Sequence, residues 1–337
     1  MIAKRIIKEW AFQLGIEVYF TEAVPFVEEK ERIKEQRDRG LFLKKYWSDE
    51  EIERFCDPQS VLKGAKSIIV AYLFYYTDEE KEPTEEGNPY GLIARYTRRN
   101  YYKELKIRLK KLAKVLKKEF GGKYYVAVNG PIIEKPMAAR SGLGYYGKHS
   151  IIIHPHYGSW IVLGEIITDL EIEIDNPLEK DCGDCQLCLT ACPTKAIIEP
   201  YIIDRKKCIQ DLSGWSGIIP DEIKEVFKNR LYGCDTCQEV CPVNKKVKGE
   251  APKTEIGVIG AYLPLIEILN IDEETFRRKY GNNQISASWV DFNALKRNAL
   301  IALGNIKDKK TIPLIEKYLK ANNPILKDAA HWALKQF

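Results

Sequence analysis

Hydrophobic and polar positions in the first half of the chain alternate between strand-like and helix-like patterns. A nearly unbroken apolar run predicts a buried strand over Ser67–Phe74, and shorter runs predict strands over 124–128, 150–153 and 160–167. Between them, residues 101–120 predict an amphipathic helix, because leucines recur every three or four positions on one face. These leucines are Leu105, Leu109, Leu112 and Leu116. The mixture of strands and helices predicts an α/β domain over residues 1–175.

The opposite face of that helix is strongly basic. Residues 98–118 carry ten lysines or arginines and a single acid, Glu104. Two interpretations stay open: a solvated surface, or a docking face for RNA or an acidic electron donor. The whole chain has 53 basic and 48 acidic residues, a net charge of +5, which permits a nucleic-acid partner without arguing for one.

The length of 337 residues predicts two or three domains rather than one. No apolar stretch reaches the roughly 18 residues that a membrane-spanning helix needs. The N-terminal sequence MIAKRIIKEW has no continuous apolar core and no twin arginine, so it does not resemble an export signal. We therefore expect a cytoplasmic protein that does not enter the membrane. We also expect it to be a monomer.

Eight of the nine cysteines fall into two short runs and one position between them. The first run, at 182–193, has the spacing C-x2-C-x2-C-x3-C-P of bacterial ferredoxins, in which three cysteines hold one 4Fe–4S cluster and the fourth binds another. The second run, at 234–242, is C-x2-C-x3-C-P and lacks one cysteine, which Cys208 can supply. The crossover rule predicts cluster 1 on Cys182, Cys185, Cys188 and Cys241, and cluster 2 on Cys192, Cys208, Cys234 and Cys237.

Two other uses of these thiols fit the pattern less well. Disulfide bonds need an oxidising compartment, and no export signal is present. Structural zinc needs four thiolates around each ion, whereas C-x2-C-x2-C crowds three cysteines onto one loop, which is unusual for zinc. The ninth cysteine, Cys56, is expected to be a buried apolar residue.

The remaining chain is predicted to form two further domains. Residues 176–248 read as a ferredoxin-like α+β domain, entered through the turn sequence Asp175-Asn176-Pro177. Residues 249–337 read as a helical domain, in which a helix begins near Leu295, is expected to stop at Gly304, and is followed by a second helix over 328–334. This pairing resembles one HEAT-type repeat, which must pack on the preceding domain because one repeat cannot bury its own face.

The segment 142–147, with the sequence GLGYYG, contains the pattern G-x-G-x-x-G. It follows a predicted helix over 134–141 rather than a strand, so the context of a dinucleotide-binding loop is missing. We expect instead a loop whose glycines let a large planar ligand approach the backbone.

The order of several motifs along nearly the whole chain resembles the epoxyqueuosine reductase family. The resemblance is carried by the two ferredoxin runs, GPIIEK at 130–135, AARSGLGYYGKH at 138–149, GSW at 158–160, LGEI at 163–166, YGCD at 232–235 and Arg297-Asn298-Ala299. It implies an α/β cobalamin-binding domain related to that of reductive dehalogenases, a double-cluster ferredoxin-like domain and a helical tail. It also implies a reaction in which two electrons and two protons remove the epoxide oxygen of epoxyqueuosine in tRNA as water.

The resemblance further implies site residues and partners. An external low-potential donor such as flavodoxin or ferredoxin would supply the electrons. The positions that the resemblance assigns to cobalamin binding are Asn129, Arg140, Lys148, His149, Ser159, Tyr232 and Gly233.

Two departures from the family concern the substrate site. The resemblance places Asn129 where the family carries an aspartate, its proposed proton donor, and an amide has no acidic proton at neutral pH. Asn129 would then form a hydrogen bond to the substrate. The protons for the reaction would come from Tyr145, Tyr146 or water. The tail segment 285–293, commonly basic in the family, has no positive charge in this chain.

Three functions stay open on this basis. The first is reduction of epoxyqueuosine in tRNA. The second is reduction of another, small-molecule substrate at the same cofactors. The third is electron transfer or corrinoid reactivation without an organic substrate.

Overall fold

The computed structural model describes residues 2–43, 47–78 and 80–337. The strands in these ranges are β1 (Glu17–Glu22), β2 (Ser67–Phe74), β3 (Tyr90–Ile93), β4 (Tyr124–Ala127), β5 (Tyr145–Tyr146), β6 (Ile152–Ile153), β7 (Ile161–Thr168), β8 (Ile197–Glu199), β9 (Ile202–Ile203), β10 (Arg230–Tyr232) and β11 (Tyr262–Pro264). The first seven α-helices are α1 (Lys4–Gln13), α2 (Val27–Asp38), α3 (Asp49–Phe55), α4 (Tyr101–Phe120), α5 (Glu134–Arg140), α6 (Leu187–Ala191) and α7 (Ile209–Gly214). The others are α8 (Asp221–Phe227), α9 (Thr236–Glu239), α10 (Leu265–Asn270), α11 (Glu273–Tyr280), α12 (Phe292–Ile306), α13 (Ile312–Tyr318) and α14 (Pro324–Leu334).

A four-stranded antiparallel sheet in the order β1-β2-β7-β4 forms the centre of the N-terminal half. Every residue of β2 and β7 is buried, as expected for apolar strands covered on both faces. Helix α4 covers one face, and Gly164 of β7 lets it approach closely, since a Cβ there would lie 2.9 Å from Leu109. Helix α5 covers the other face, with Met137 fully buried.

The sequence predicted β2 and α4 to the residue. Helix α4 begins at its predicted position because the Asn100 side chain accepts the Lys103 N–H at 2.9 Å, and it ends at Gly121 with a φ of 67°. The predicted strand over 150–153 is shorter than expected, since only Ile152–Ile153 pairs with β5.

Three segments distant in the chain form a second sheet. Strand β3 pairs with β10 in parallel and with β11 in antiparallel orientation, so the predicted ranges 1–175, 176–248 and 249–337 each contribute one strand. A common core joins Ile93 of β3 to Leu231 of β10, Leu263 of β11 and Leu300 of α12. The two C-terminal ranges therefore share a core, and their separation at residue 249 stays a prediction.

The C-terminal helices pack closely, with α12 and α13 both against α14. The prediction that Gly304 stops the first helix was wrong, because α12 continues to Ile306 and ends at Lys307, which has the left-handed φ of 59°. A Cβ on Gly304 would lie 2.8 Å from the Cα of Ala333. The glycine therefore serves the contact between α12 and α14 rather than the end of the helix.

Two glycines of the glycine-rich loop make room for other parts of the chain. A Cβ on Gly142, which has a φ of 73°, would lie 2.2 Å from the carbonyl oxygen of Asn176. A Cβ on Gly147 would lie 2.6 Å from the His149 ring. The approach of a planar ligand to this loop stays a prediction.

Within the ranges that the structure describes, no helix combines the length and the apolar character needed to cross a bilayer.

Candidate active site

A large cavity of about 1880 Å³ lies between the α/β half and the cysteine-bearing segments. Its wall contains residues of α2 and α5, the loop 129–133, the segments 192–216 and 232–238, and residues 284–293 before α12. Small-molecule sites usually measure about 300–1,000 Å³. This cavity is large enough for a bulky cofactor together with part of a substrate.

The cysteine thiols of the two runs influence one another in two groups of four. Burial is the main reason that the pKa of Cys188 rises to about 11, and the nearby thiols of Cys182, Cys185 and Cys241 raise it further. Burial raises the pKa of Cys237 well above its ordinary value, and Cys234, Cys208 and Cys192 raise it further. These are the two groups that the crossover rule predicts. Binding to iron would remove this penalty, because a coordinating thiol is deprotonated and its charge is neutralised by the metal.

The thiols do not form a single-ion site. Across the described ranges, no three histidine, cysteine, aspartate or glutamate side chains stand close enough together to ligate one metal ion. Cysteines that bind a 4Fe–4S cluster do not need to converge on one point, because each binds a different iron.

The two groups of cysteines differ in their relation to the cavity. Cys192, Cys208, Cys234 and Cys237 all lie on its wall, whereas none of the described wall residues belongs to the other group. Cys182 and Cys241 instead pack behind the wall against Tyr145. An electron that entered at cluster 1 would therefore reach the cavity through cluster 2.

The predicted catalytic positions all lie on the cavity wall. Asn129 is exposed to the cavity, has the left-handed φ of 50°, and donates its backbone N–H to the carboxylate of Glu134. Burial raises the pKa of Tyr145, and Cys182 and Cys241 raise it further. Burial also raises the pKa of Tyr146 far above its ordinary value. Both phenols therefore stay protonated and are weak acids.

Four of the positions assigned to cobalamin line the cavity, namely Asn129, Arg140, His149 and Tyr232. Arg140 pairs with Glu29 at 2.9 Å and lies 4.7 Å from the ring centre of Phe26. The His149 ring is buried, and its Nδ1 accepts the Ile151 N–H at 3.2 Å, so the ring proton resides on Nε2.

His149 offers an unused donor at the cavity wall. Its Nε2 has no hydrogen-bond partner among the described residues. Burial, followed by the charge of Lys135, lowers the pKa of His149 to about 4, so the imidazole is neutral at pH 7. A buried donor of this kind fits a cofactor that presents amide or phosphate oxygens.

The other three assigned positions do not line the cavity but hold the cysteine-bearing loops. The Lys148 ammonium donates to the Gly183 carbonyl, between two cysteines of cluster 1. The fully buried Ser159 hydroxyl donates to Gln238 at 2.9 Å, between Cys237 and Cys241. Gly233 donates its N–H to the Ser213 hydroxyl at 3.0 Å. Their roles in cobalamin binding stay predictions.

Two glutamates at this site are absent from the site residues predicted from the sequence. Glu134, the first residue of α5, lies on the cavity wall. Glu165 is fully buried in β7, and neither of its carboxylate oxygens has a partner among the described residues. The signal for Glu165 was present in the sequence, because it is the one carboxylate inside the apolar run 160–167.

The chain matches two family models. Residues 181–244 match a model described as a 4Fe–4S double cluster binding domain, and residues 56–129 match one described as epoxyqueuosine reductase QueG, DUF1730. An epoxyqueuosine reductase of Bacillus anthracis is 35% identical over 328 residues, covering 95% of this chain and 85% of the relative. That of Escherichia coli K12 is 31% identical, covering 98% and 88%.

Solved structures of similar proteins have the same fold. The epoxyqueuosine reductase of Streptococcus thermophilus has a TM-score of 0.89 at 31% identity, covering 99% of this chain and 90% of the other. A crystal structure of epoxyqueuosine reductase with an epoxyqueuosine-modified tRNA-Tyr stem loop has a TM-score of 0.89 at 32% identity, covering 99% and 89%. The chain, with its double-cluster cysteines and its cavity, belongs to the epoxyqueuosine reductase family.

Proposed function

We propose that this protein reduces epoxyqueuosine in tRNA to queuosine, using two 4Fe–4S clusters and cobalamin. The observation that carries this proposal is the wall of the cavity, which contains all four cysteines assigned to cluster 2. A redox cluster beside a large, partly apolar cavity suits reduction of a bound substrate. The similar protein solved with an epoxyqueuosine-modified stem loop gives the substrate class.

The cysteine groups support an electron path from the surface to the cavity. Cluster 1 would receive electrons from an external donor such as flavodoxin or ferredoxin, and cluster 2 would pass them to the cavity. Buried hydrogen bonds fix cluster 2 relative to the α/β half, because Gln238, next to Cys237, accepts from Tyr75 at 3.0 Å and from Ser159 at 2.9 Å. When bound, the clusters and the cobalt of cobalamin supply the electron-transfer chemistry.

The residues of the wall fit a large cofactor with polar edges. His149 presents an N–H donor, and the Arg140 guanidinium is held in place by Glu29 and Phe26. The protein would orient the cofactor and exclude water from the reacting centre. We accordingly assign cobalamin binding to the α/β half and interpret the helices after residue 292 as a HEAT-like repeat.

The surface supports RNA as a partner in two places. Seven lysines on α4 are exposed, at positions 103, 106, 110, 111, 114, 117 and 118. At the cavity itself, three arginines lie on the wall, Arg32, Arg205 and Arg277, and each pairs with a neighbouring carboxylate. Trp289 is 56% exposed on the same wall. Arginines can pair with phosphates and an exposed indole can stack on a base.

The test is an anaerobic turnover assay with the cluster- and cobalamin-loaded protein. The substrate is an anticodon stem loop that bears epoxyqueuosine, the reductant is supplied with flavodoxin, and queuosine is measured by mass spectrometry. The matched control carries an unmodified guanosine at the same position. Queuosine formation that requires both clusters is the expected result. A fully loaded protein that binds the stem loop no better than the control and forms no queuosine would refute the proposal.

A further inference from the structure

The proposed reaction needs a source of protons, and this inference rests on that function. Removing an epoxide oxygen as water breaks both of its C–O bonds, forms a C=C bond, and consumes two electrons and two protons. The clusters account for the electrons. A side chain on the cavity wall is needed that carries a proton near neutral pH and releases it readily.

The catalytic positions predicted from the sequence, and His149, do not meet this requirement. Asn129 has no acidic proton. Burial raises the pKa of Tyr145 and of Tyr146, which makes both phenols weaker acids than usual. His149 is neutral, and its remaining N–H is a far weaker acid than an imidazolium.

Glu134 differs from these residues in position and in environment. It begins α5 on the cavity wall, and its carboxylate accepts the Asn129 N–H at the turn where the chain adopts a left-handed conformation. The side chain is thus held at the foot of the loop that faces the cavity. Burial raises the pKa of Glu134 to about 7, although the Asn129 and Gly130 N–H groups and Lys135 oppose the shift.

Glu165 lies behind Glu134 in the wall. It sits on β7 beneath α5, between Val70 of β2 and Ala127 of β4, and it is fully buried. Neither of its oxygens has a partner within the described ranges, and an ionised carboxylate cannot be buried in this way without a large cost. Burial, and then the charge of Glu134, raise the pKa of Glu165 well above its ordinary value, so it is a neutral acid at pH 7.

We propose that Glu134 is the acid that protonates the oxygen as it leaves the substrate, and that Glu165 is a second protonated carboxyl group that restores the proton to Glu134 through an intervening water, since no direct hydrogen bond joins the two carboxyl groups. The pair thereby stores the two protons that one turnover consumes. Glu134 is a catalytic residue in this scheme, and Glu165 is a positioning residue that acts through it. The charged and titratable neighbours of the pair are Lys135 on α5 and Tyr102 on α4.

The first test is the single-turnover rate of the loaded enzyme as a function of pH. Glu134→Gln is expected to lower the rate by about 100-fold or more, the usual contribution of a positioned acid, while cluster spectra and stem-loop affinity stay unchanged. In the native protein the rate should fall above about pH 7, where Glu134 loses its proton, and this fall should be absent in Glu134→Gln. Glu134→Asp should recover part of the rate.

Glu165→Gln tests the second role. We expect slower turnover, in the first cycle as well as in repeated cycles and most clearly above neutral pH, because the second proton of each cycle must then come from solvent. The control is Glu171→Gln, since Glu171 is exposed, pairs with Lys66 at 3.0 Å and does not line the cavity. A Glu134→Gln enzyme with the native rate and pH profile would refute the donor role. Unchanged first and repeated turnover in Glu165→Gln would refute the reservoir role.

A spectroscopic test separates this inference from the proposed substrate. Infrared spectra of the protein without substrate should contain the carbonyl band of protonated glutamates at neutral pH. Part of the band should titrate near pH 7 and be absent in Glu134→Gln, and a second part should be absent in Glu165→Gln. If no queuosine forms but these bands are found, the function fails and the carboxyl pair stands. If the bands are missing, the pair is refuted whatever the substrate.

Discussion

Replacement of Arg297 by methionine should destabilise the protein and loosen cluster 2 in particular. Arg297 is fully buried in α12, and its guanidinium donates to the carbonyl oxygens of Leu212, Trp215 and Gly217 at 2.6–2.7 Å. These carbonyls belong to α7 and the turn that follows it. Because α7 begins directly after Cys208, this contact fixes a ligand of cluster 2 from the helical tail.

The size of the effect follows from the groups left without partners. Methionine fills a similar volume but leaves three carbonyl oxygens unsatisfied, each at a cost of about 1–3 kcal/mol. Burial of the charge, which lowers the pKa of Arg297 to about 9, offsets part of that cost in the native protein. We therefore expect a net loss of about 3–5 kcal/mol in the free energy of unfolding, in line with the breaking of other buried charge networks.

Thermal unfolding of the loaded protein under anaerobic conditions measures the change. The expected decrease in Tm is about 4–7 °C for a chain of 337 residues, and spin-resonance spectra should lose the signal of cluster 2 before that of cluster 1. The matched control is Arg278→Met, because Arg278 is exposed on α11. A loss below about 1 kcal/mol, the range of ordinary surface substitutions, would show that these hydrogen bonds do not stabilise the fold as argued.

Three further predictions follow from the same structure. Cys208→Ser should lower the measured iron content by one 4Fe–4S cluster and abolish turnover. Its control is Cys56→Ser, because Cys56 is buried and is not a wall residue, and this variant should retain all eight irons. Gly142→Ala should reduce the yield of folded protein, because its Cβ would lie 2.2 Å from the Asn176 oxygen at a positive φ, and a native melting curve would contradict this. As the pH rises from about 4.5 to 7, the free energy of unfolding should fall, since the folded state binds the Glu134 proton more tightly than the unfolded state. The difference between a pKa of about 7 and one of 4.5 corresponds to at most about 3 kcal/mol, and to less for a half-buried group. Urea titrations of Glu134→Gln should show a flatter dependence on pH in this range.

The helical tail and the cluster segments depend on each other through two adjacent residues. Asn298, next to Arg297, donates to the carbonyls of Ser213 and Leu231 at 2.8 and 2.9 Å. Leu231 lies in β10, three residues before Cys234. The pair therefore supports both segments that bring cysteines of cluster 2 to the cavity, which gives a structural reason for its place in the motif set that identified the family.

The sequence by itself determined the local features whose cause is local. The apolar run 67–74 had to be buried on both faces, and the Asn100 cap and Gly121 set the ends of α4. The spacing of the cysteines also defined two groups of four, because short loops restrict which sulfurs can reach one cluster. The order of motifs was enough to indicate the family and its reaction.

Only the tertiary structure decided which residues share a wall. The resemblance assigned Lys148, Ser159 and Gly233 to cobalamin binding, and only the structure shows that they lie off the cavity wall, hydrogen-bonded to the cysteine-bearing loops or to α7. Gly304 appeared to end a helix, but the close approach of α14 explains it. The electrostatic influence of Glu134 on Glu165 likewise depends on the packing of α5 on β7, which brings together residues 31 positions apart and which no local pattern encodes.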